Sequence, residues 1–234
     1  MARLILALLL CAPAWATFTI DAGSPVNDTA GVAGCNNSSG TSCAVTVTST
    51  STGHLMIFEW WGLTTPPSAV SGGCGAWVNP AGSNVNNGTI GMSTWYCLSS
   101  TSGVTTITAT VTSNSSRGAA FYSFAFTATS VFFDGASNAV NGSLSSVPGL
   151  GFSLSGGNDL LMQFISISGG VVTSSINESY VALTGGSHGP AYLRNTILAT
   201  APTWTIGSAA TSITSGLAIA EAHAKGTGHH VRSQ

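Results

Sequence analysis

Charged side chains are scarce in this chain of 234 residues: Asp, Glu, Lys and Arg together make up 5% of it, against about 25% in a typical soluble domain. Between residues 17 and 222 there are two basic groups, Arg117 and Arg194, and seven acidic ones, a formal charge of −5. This segment has no basic surface for nucleic acid and lacks the alternating charges of a coiled coil. The hydrophobic share, 44%, is too high for intrinsic disorder. The sequence therefore predicts a packed fold that binds no nucleic acid.

Long apolar runs are absent after the N-terminus. At the N-terminus, Arg3 precedes the apolar stretch Leu4–Leu10, and Ala14-Trp15-Ala16 supplies a small-x-small cleavage site. These features predict a secretory signal peptide over residues 1–16, because the apolar stretch is shorter than the ~20 residues that a membrane helix needs. We expect a protein without a membrane span that is secreted or displayed at the cell surface, with the periplasm as the alternative compartment.

Motifs for metal or redox chemistry are also missing: the chain has no CxxC, HxH or HExxH. We therefore expect no metal and no cofactor. Four cysteines follow the predicted signal peptide, and an even number in an exported chain favours two disulfides. Of the three connectivities, the sequence favours local pairing, Cys35–Cys43 with Cys74–Cys97, and leaves the other two open.

Helical periodicity is absent after residue 16, whereas strand patterns recur along the chain. Val104–Thr112 alternates apolar residues with Thr, and Leu55–Trp61 is apolar on both faces, as a central strand is. Turn residues such as Asn87-Gly88 and Asn141-Gly142 separate the predicted strands. The other predicted strands are Ala44–Thr48, Thr89–Leu98, Ala119–Ala128, Asp159–Ser168, Tyr180–Leu183, Tyr192–Ala199 and Gly216–Ala222.

Regularly spaced strands without intervening helices predict an all-β fold, an antiparallel β-sandwich of the jelly-roll-like kind. No change of composition marks a domain boundary, so we expect a single domain over residues 17–222. From residue 223 the chain loses periodicity and gains charge. Residues 223–234 are therefore predicted to form a flexible C-terminal tail.

The order of several strand motifs resembles a loosely defined group of secreted bacterial and phage β-sandwich proteins. Gly53-His54-Leu55-Met56-Ile57 is similar to the "GdLLvv" strand opening of that group, and Trp95-Tyr96, the run 104–112 and Gly157-Asn158-Asp159-Leu160-Leu161 follow in the usual order. The resemblance covers most of residues 45–222 and implies a sandwich fold, export, and a surface or phage-tail context. The chain departs from the group in its four cysteines and in His54, where an acidic residue is more usual.

Aromatic residues offer the main candidate binding site. Adjacent residues of a strand face opposite sides, so we expect one member of each adjacent aromatic pair to point away from the core. Exposed rings flanked by asparagines are a surface on which sugar rings can stack. The candidate ligand-binding residues are Trp60, Trp61, Trp77, Trp95, Tyr96, Asn86, Asn87 and Glu59.

Two residues suggest hydrolytic chemistry instead. Glu59 lies in an apolar strand, on the face of Leu55, Ile57 and Trp61, where desolvation raises the pKa of a carboxyl. Ser187 lies in a G-x-S-x-G sequence, but a predicted strand, not a helix, follows it. Both sites lack an evident acid–base partner, so no catalytic residue is assigned and the balance is against an enzyme.

The sequence thus favours a non-enzymatic module for binding or adhesion, with a glycan or another cell-surface polymer as its expected partner. Two alternatives stay open. One is a structural subunit of an extracellular assembly, filamentous or phage-like, in which uncharged strand edges pair with a neighbouring copy. The other is an extracellular hydrolase that uses Ser187 or Glu59. Exposed coplanar rings would favour the glycan module, a long unprotected edge strand the assembly, and a concave pocket around Ser187 or Glu59 the hydrolase.

Overall fold

The computed structural model describes residues 17–27, 35, 40–62, 65–112, 117–155, 158–168, 172–173, 181–182, 188–196 and 201–222. Within these ranges every regular element is a β-strand, and every strand pairing is antiparallel. The predicted all-β antiparallel sandwich is therefore confirmed. The predicted signal peptide and C-terminal tail lie outside the described residues.

The first half of the chain forms two sheets. Sheet A contains β1 (Phe18–Ile20), β2 (Val26–Asn27), β4 (Leu55–Gly62), β6 (Val85–Asn86), β7 (Gly91–Cys97) and β9 (Arg117–Phe126). Its strand order is β1-β9-β4-β7-β6, with β2 also paired to β9. Sheet B contains β3 (Ser42–Thr46), β5 (Ala69–Ser71) and β8 (Thr106–Thr110), in the order β3-β8-β5.

The second half forms sheet C alone. Its strands are β10 (Val131–Pro148), β11 (Asp159–Ile167), β12 (Val172–Thr173), β13 (Val181–Ala182), β14 (His188–Thr196) and β15 (Thr203–Glu221). The order is β10-β15-β11-β14-β13, with β12 paired to β15. The last described strand, β15, therefore lies between β10 and β11.

Sheet A is covered on both faces. In β4, Leu55 and Ile57 point into core 1, between sheets A and C, whereas Met56 and Phe58 point into core 2, between sheets A and B. All eight residues of β4 are buried, which explains why its sequence is apolar on both faces. Core 3 covers the opposite face of sheet C and includes Trp204. The molecule is thus a stack in the order sheet B, sheet A, sheet C.

Polar as well as apolar contacts join sheets A and C. The hydroxyls of Thr94 on β7 and Ser215 on β15 lie 3.2 Å apart in a buried hydrogen bond, and Ser215 also donates to the carbonyl oxygen of Ser83 at 2.9 Å. Nearby, the rings of Tyr96 and Phe133 stack with centroids 5.2 Å apart. These contacts fix the position of sheet C on sheet A.

Both predicted disulfides are confirmed. Cys35–Cys43 and Cys74–Cys97 join residues 8 and 23 positions apart in the sequence. Loop-closure entropy for rings of these sizes corresponds to about 2.6 and about 3.4 kcal/mol. All four sulfurs contribute to core 2 or contact it, so the cross-links stabilise the packing of sheet B on sheet A.

The longest strand pair was missed by the sequence reasoning. No strand was predicted over β10, and the turn expected at Asn141-Gly142 is wrong, because both residues lie inside that strand. The register against β15 shifts between Asn141 and Ser143, which marks a β-bulge at the glycine. Similarly, the predicted strand at Gly216–Ala222 is only the last part of β15, which begins at Thr203.

Candidate functional site

The paired aromatic residues are buried, not exposed. Trp60 and Trp61 retain 0% and 6% of their accessible surface, and Trp95 and Tyr96 retain 8% each. The expectation that one member of each pair faces away from the core is wrong, because sheet B covers the face of sheet A that was expected to meet solvent. Trp60 and Trp95 lie in core 2, while Trp61 and Tyr96 lie in core 1.

The other proposed sugar contacts serve the local loops. The indole N–H of Trp77 donates to the carbonyl oxygen of Gly72 at 2.9 Å, and its half-buried ring packs edge-on against Phe58. The side-chain oxygen of Asn86 accepts a bond from the backbone N–H of Gly88, and that of Asn87 accepts from Thr89 and Ile90. These asparagines shape the turn between β6 and β7.

Glu59 is buried in core 1 beside Tyr122. Its Oε2 atom and the Tyr122 hydroxyl have no hydrogen-bond partner among the described residues. Burial raises the pKa of the Glu59 carboxyl well above its usual range. Burial also raises the pKa of Tyr122, and the Glu59 charge raises it further. Because Glu59 is 1% exposed, its carboxyl is not accessible to a bound substrate as a general base or as a nucleophile.

The basic residues do not pair with Glu59 in the described structure. The guanidinium of Arg194 donates to the carbonyl oxygen of Phe18 at 3.3 Å and lies over the ring of Tyr192. The side chain of Arg117 and the whole of Ser187 lie outside the described residues. Among the side chains that the structure describes, no basic group therefore pairs with Glu59.

The most unusual surface of the molecule is the outer edge of β10. This strand has 18 residues, whereas typical strands have about 5 or 6. At about 3.3 Å per residue it is roughly 60 Å long. It is an edge strand of sheet C, and among the described residues its only ladder partner is β15. No described strand pairs with the backbone N–H and C=O groups on its other side.

The exposed apolar side chains of the described chain are concentrated on the same strand. Phe132, Val140 and Leu144 are 39%, 55% and 40% exposed, and the fourth large exposed hydrophobic residue, Val78, lies elsewhere. Asp134 is the one charged residue of β10. Natural edge strands are usually protected by charges, by proline or by short length. In β10 these features are limited to Asp134, the terminal Pro148 and three register shifts, and residues 135–147 contain neither a charge nor a proline.

Sheet A holds the middle of β10 in place. The side-chain amide of Asn138 donates to the carbonyl oxygens of Gly82 and Asn84 at 2.7 and 3.1 Å. Near the start of the strand, Phe133 stacks on Tyr96. The inner side of β10 is thereby anchored, so the outer edge is presented as a rigid surface. We name this surface, the outward backbone groups and exposed side chains of Val131–Pro148, the β10 edge.

Three carboxyl groups lie at one end of sheet C. Asp159 at the start of β11 and Glu221 at the end of β15 are buried, and the carboxylate oxygens of Asp159 have no hydrogen-bond partner within the described residues. Burial, and then the charge of Asp134, raises the pKa of Asp159 to about 6. Burial, and then the charge of Asp159, raises that of Glu221 to about 7, against a lowering by Asn158. In the described ranges, no three His, Cys, Asp or Glu residues are placed to hold a metal.

The sequence contained a weak signal for the β10 edge. Val131-Phe132-Phe133 is an apolar start, and Val140 and Leu144 recur beyond it with only one charge in the whole strand. The intervening Gly and Asn residues have low strand propensity, and Asn141-Gly142 is a typical turn sequence, so the local pattern predicted no strand there.

The described ranges contain no helix with the length and apolar character of a membrane span. Searches against protein-family models, curated proteins and solved structures find no match to this chain.

Proposed function

We propose that this protein is a structural subunit of an extracellular assembly and that it associates with a second copy of itself through the β10 edge. The observation that carries the proposal is the coincidence of an 18-residue edge without a second ladder partner and three of the four large exposed hydrophobic residues of the described chain. Backbone hydrogen bonds along such an edge supply affinity, and exposed side chains supply register.

A second copy is the occupant that best fits the β10 edge. Two identical edges can pair antiparallel about a twofold axis, because each then offers the other the same alternation of donors and acceptors. Two β10 strands carry only one Asp134 each, so their approach meets little charge repulsion. A twofold pairing closes at a dimer. The dimer would thus be the building unit, and growth beyond it would need a second contact.

The competing functions have less support. A glycan module that stacks sugars on the paired aromatic residues needs exposed rings, and these rings are buried. A hydrolase that uses Glu59 needs a carboxyl that substrate can reach, and Glu59 is 1% exposed, as buried as its ionisable neighbour Tyr122. The two disulfides are consistent with an oxidising compartment, which supports an extracellular place for the assembly.

The proposal is tested by placing charge on the edge. Val140→Lys with Leu144→Lys puts two solvated cations along β10, where the facing copy would bring two more. We expect sedimentation velocity to show a concentration-dependent dimer for the parent protein and a monomer for this double variant. Val78→Lys is the matched control, since it changes an equally exposed hydrophobic residue away from β10.

Hydrogen exchange locates the contact. If the proposal is correct, raising the protein concentration slows exchange across Val131–Pro148 and leaves β3, an edge strand of sheet B, unchanged. A parent protein that stays monomeric at all soluble concentrations would refute the proposal. So would a dimer that survives the double variant, because its interface would then lie elsewhere.

A further inference from the structure

A polar cleft opens on the opposite half of the molecule from the β10 edge. It lies between the turn after β1 and the segment that joins β3 to β4, and its volume is about 260 Å³. Most of its walls carry hydroxyl groups, and one carboxylate faces them. The side chains that matter for the argument are Asp21, Ser24, Thr48, Ser49 and Ser123.

Asp21 is held in a fixed orientation. Its Oδ2 atom lies 2.7 Å from Nδ1 of His54 and accepts a second hydrogen bond from the hydroxyl of Ser123. Among the described residues this is the one close contact between an acidic side chain and a side chain that can carry positive charge. No described group donates to Oδ1. Because two partners already orient the carboxylate, Oδ1 is a preorganised acceptor whose use by a ligand costs little side-chain entropy.

Several hydroxyl groups around Asp21 have unused capacity. Ser24 Oγ accepts the backbone N–H of Ser123 at 2.8 Å, which leaves its own proton free to donate. Thr48 and Ser49 are exposed, and their hydroxyls make no hydrogen bond within the described structure. The walls therefore offer donors and acceptors next to a fixed carboxylate oxygen.

The turn that bears Asp21 is packed tightly against the opposite wall. Gly23 has a φ of +80°, and a Cβ atom at that position would lie 2.3 Å from Oγ1 of Thr48. Only glycine satisfies both the backbone conformation and this close approach. The two walls are thus held at a fixed separation.

We propose that this cleft binds a neutral polyhydroxylated ligand, namely a single sugar ring. A carboxylate that accepts from ligand hydroxyls, combined with side-chain hydroxyls that donate and accept, matches the chemistry of adjacent sugar hydroxyls. The volume is just below the ~300 Å³ at the lower end of small-molecule sites, which suits one ring and not a longer chain. Anions are disfavoured by Asp21, and a divalent cation would find only one carboxylate.

The test is an amide chemical-shift titration of the purified protein with D-glucose, D-galactose, D-mannose and N-acetyl-D-glucosamine, and with CaCl2 alone. We expect at least one sugar to shift the amides of residues 21–24 and 48–51, whereas CaCl2 does not. Asp21→Asn should weaken that binding roughly tenfold or more, because a charge-assisted hydrogen bond is lost.

Two further variants control for loss of folding and for the position of the site. Thr48→Val removes a hydroxyl that makes no hydrogen bond within the described structure, so it should fold normally and still weaken binding a few-fold. Asp134→Asn removes a carboxylate elsewhere and should leave binding unchanged. The proposal is overturned if no sugar shifts these amides, if CaCl2 alone shifts them, or if a folded Thr48→Val variant binds like the parent. Sugar binding is expected to persist in the monomeric double-lysine variant. The proposal of sugar binding and the proposal of association through the β10 edge can therefore be refuted independently of each other.

Discussion

Two strands of this protein, β4 and β10, differ in how far the rest of the fold covers them. β4 is in the middle of sheet A, has a sheet on each face, and exposes none of its eight residues. β10 is at the border of sheet C, has one strand partner, and is exposed or half-exposed along most of its length. Stability is concentrated in β4, while the capacity for new contacts is concentrated in β10. Substitutions that separate these two roles test the comparison.

The largest expected difference comes from truncating one phenylalanine in each strand. Phe58 on β4 is fully buried, whereas Phe132 on β10 is 39% exposed. We expect Phe58→Ala to lower the free energy of unfolding by about 3–5 kcal/mol, because a cavity forms in core 2. Phe132→Ala should cost less than about 1 kcal/mol. Urea denaturation of the oxidised protein measures both, and equal losses would contradict the comparison.

The next largest difference in stability is expected between alanine substitutions at two glycines. A Cβ atom on Gly118 would lie 2.4 Å from the Trp61 ring, whereas one on Gly142 of β10 would meet nothing within 4 Å. We expect Gly118→Ala to destabilise the protein by about 1–3 kcal/mol through overpacking. Gly142→Ala should be neutral or slightly stabilising, because alanine reduces the entropy of the unfolded chain. Thermal unfolding distinguishes the two variants, and a destabilised Gly142→Ala protein would show that β10 is packed more tightly than described.

The buried carboxyl of β4 predicts an unusual pH dependence. The folded state raises the pKa of Glu59 well above its usual range, so the folded protein keeps this proton to a higher pH than the unfolded chain, which ionises above about pH 4.5. Stability from this group is therefore complete below that pH and is lost as pH rises toward the folded pKa, with a slope of at most about 1.4 kcal/mol per pH unit. Glu59→Gln should flatten the decline, as measured by denaturation midpoints between pH 4 and 8.

The carboxyl pair at the end of β15 adds to that decline over a defined range. The pKa values of about 6 for Asp159 and about 7 for Glu221 confine the extra loss to roughly pH 4–7. Asp159→Asn should remove its part of the loss, and Glu221→Gln should remove the part that comes from Glu221. If stability instead increased from pH 4 to 7 in the parent, the assignment of protonated carboxyls would be wrong.

The smallest expected effect concerns folding of the double-lysine variant on β10. Because Val140 and Leu144 are exposed, their replacement by lysine should change the free energy of unfolding of the monomer by no more than about 0.5 kcal/mol each. Measured at a concentration where the parent is monomeric, this near-neutrality would separate association from folding. A large loss would mean that the two side chains stabilise the subunit itself.

The sequence predicted the parts of the fold whose information is local. The double-sided apolar pattern of Leu55–Trp61, the alternation in 104–112 and the short-range disulfides all correspond to the structure. The faces of Trp60 and Trp95 could not be judged, because sheet B, which covers them, consists of strands contributed by three separate segments. No single segment of the sequence indicates which sheet will pack against another.

β10 was missed for a related reason. Its Gly and Asn residues have low strand propensity, and its partner β15 is far along the chain: Asn141 pairs with Ser212. Pairing over that distance overrides local preference. The cleft at Asp21 was equally hidden, because Asp21, His54 and Ser123 are close only in the folded chain.

The strand order of sheet C determines when the protein can be completed. Sheets A and B use residues 18–126 only, so all their strands are present before the rest of the chain has been made. Sheet C cannot, because β15 is the last described strand to emerge and yet fills the gap between β10 and β11. Until β15 pairs with it, β10 has no described strand partner, and the face of sheet A that packs on sheet C is not fully covered. Completion of sheet C therefore depends on a strand whose partners lie far earlier in the sequence, a topology of the kind that folds slowly.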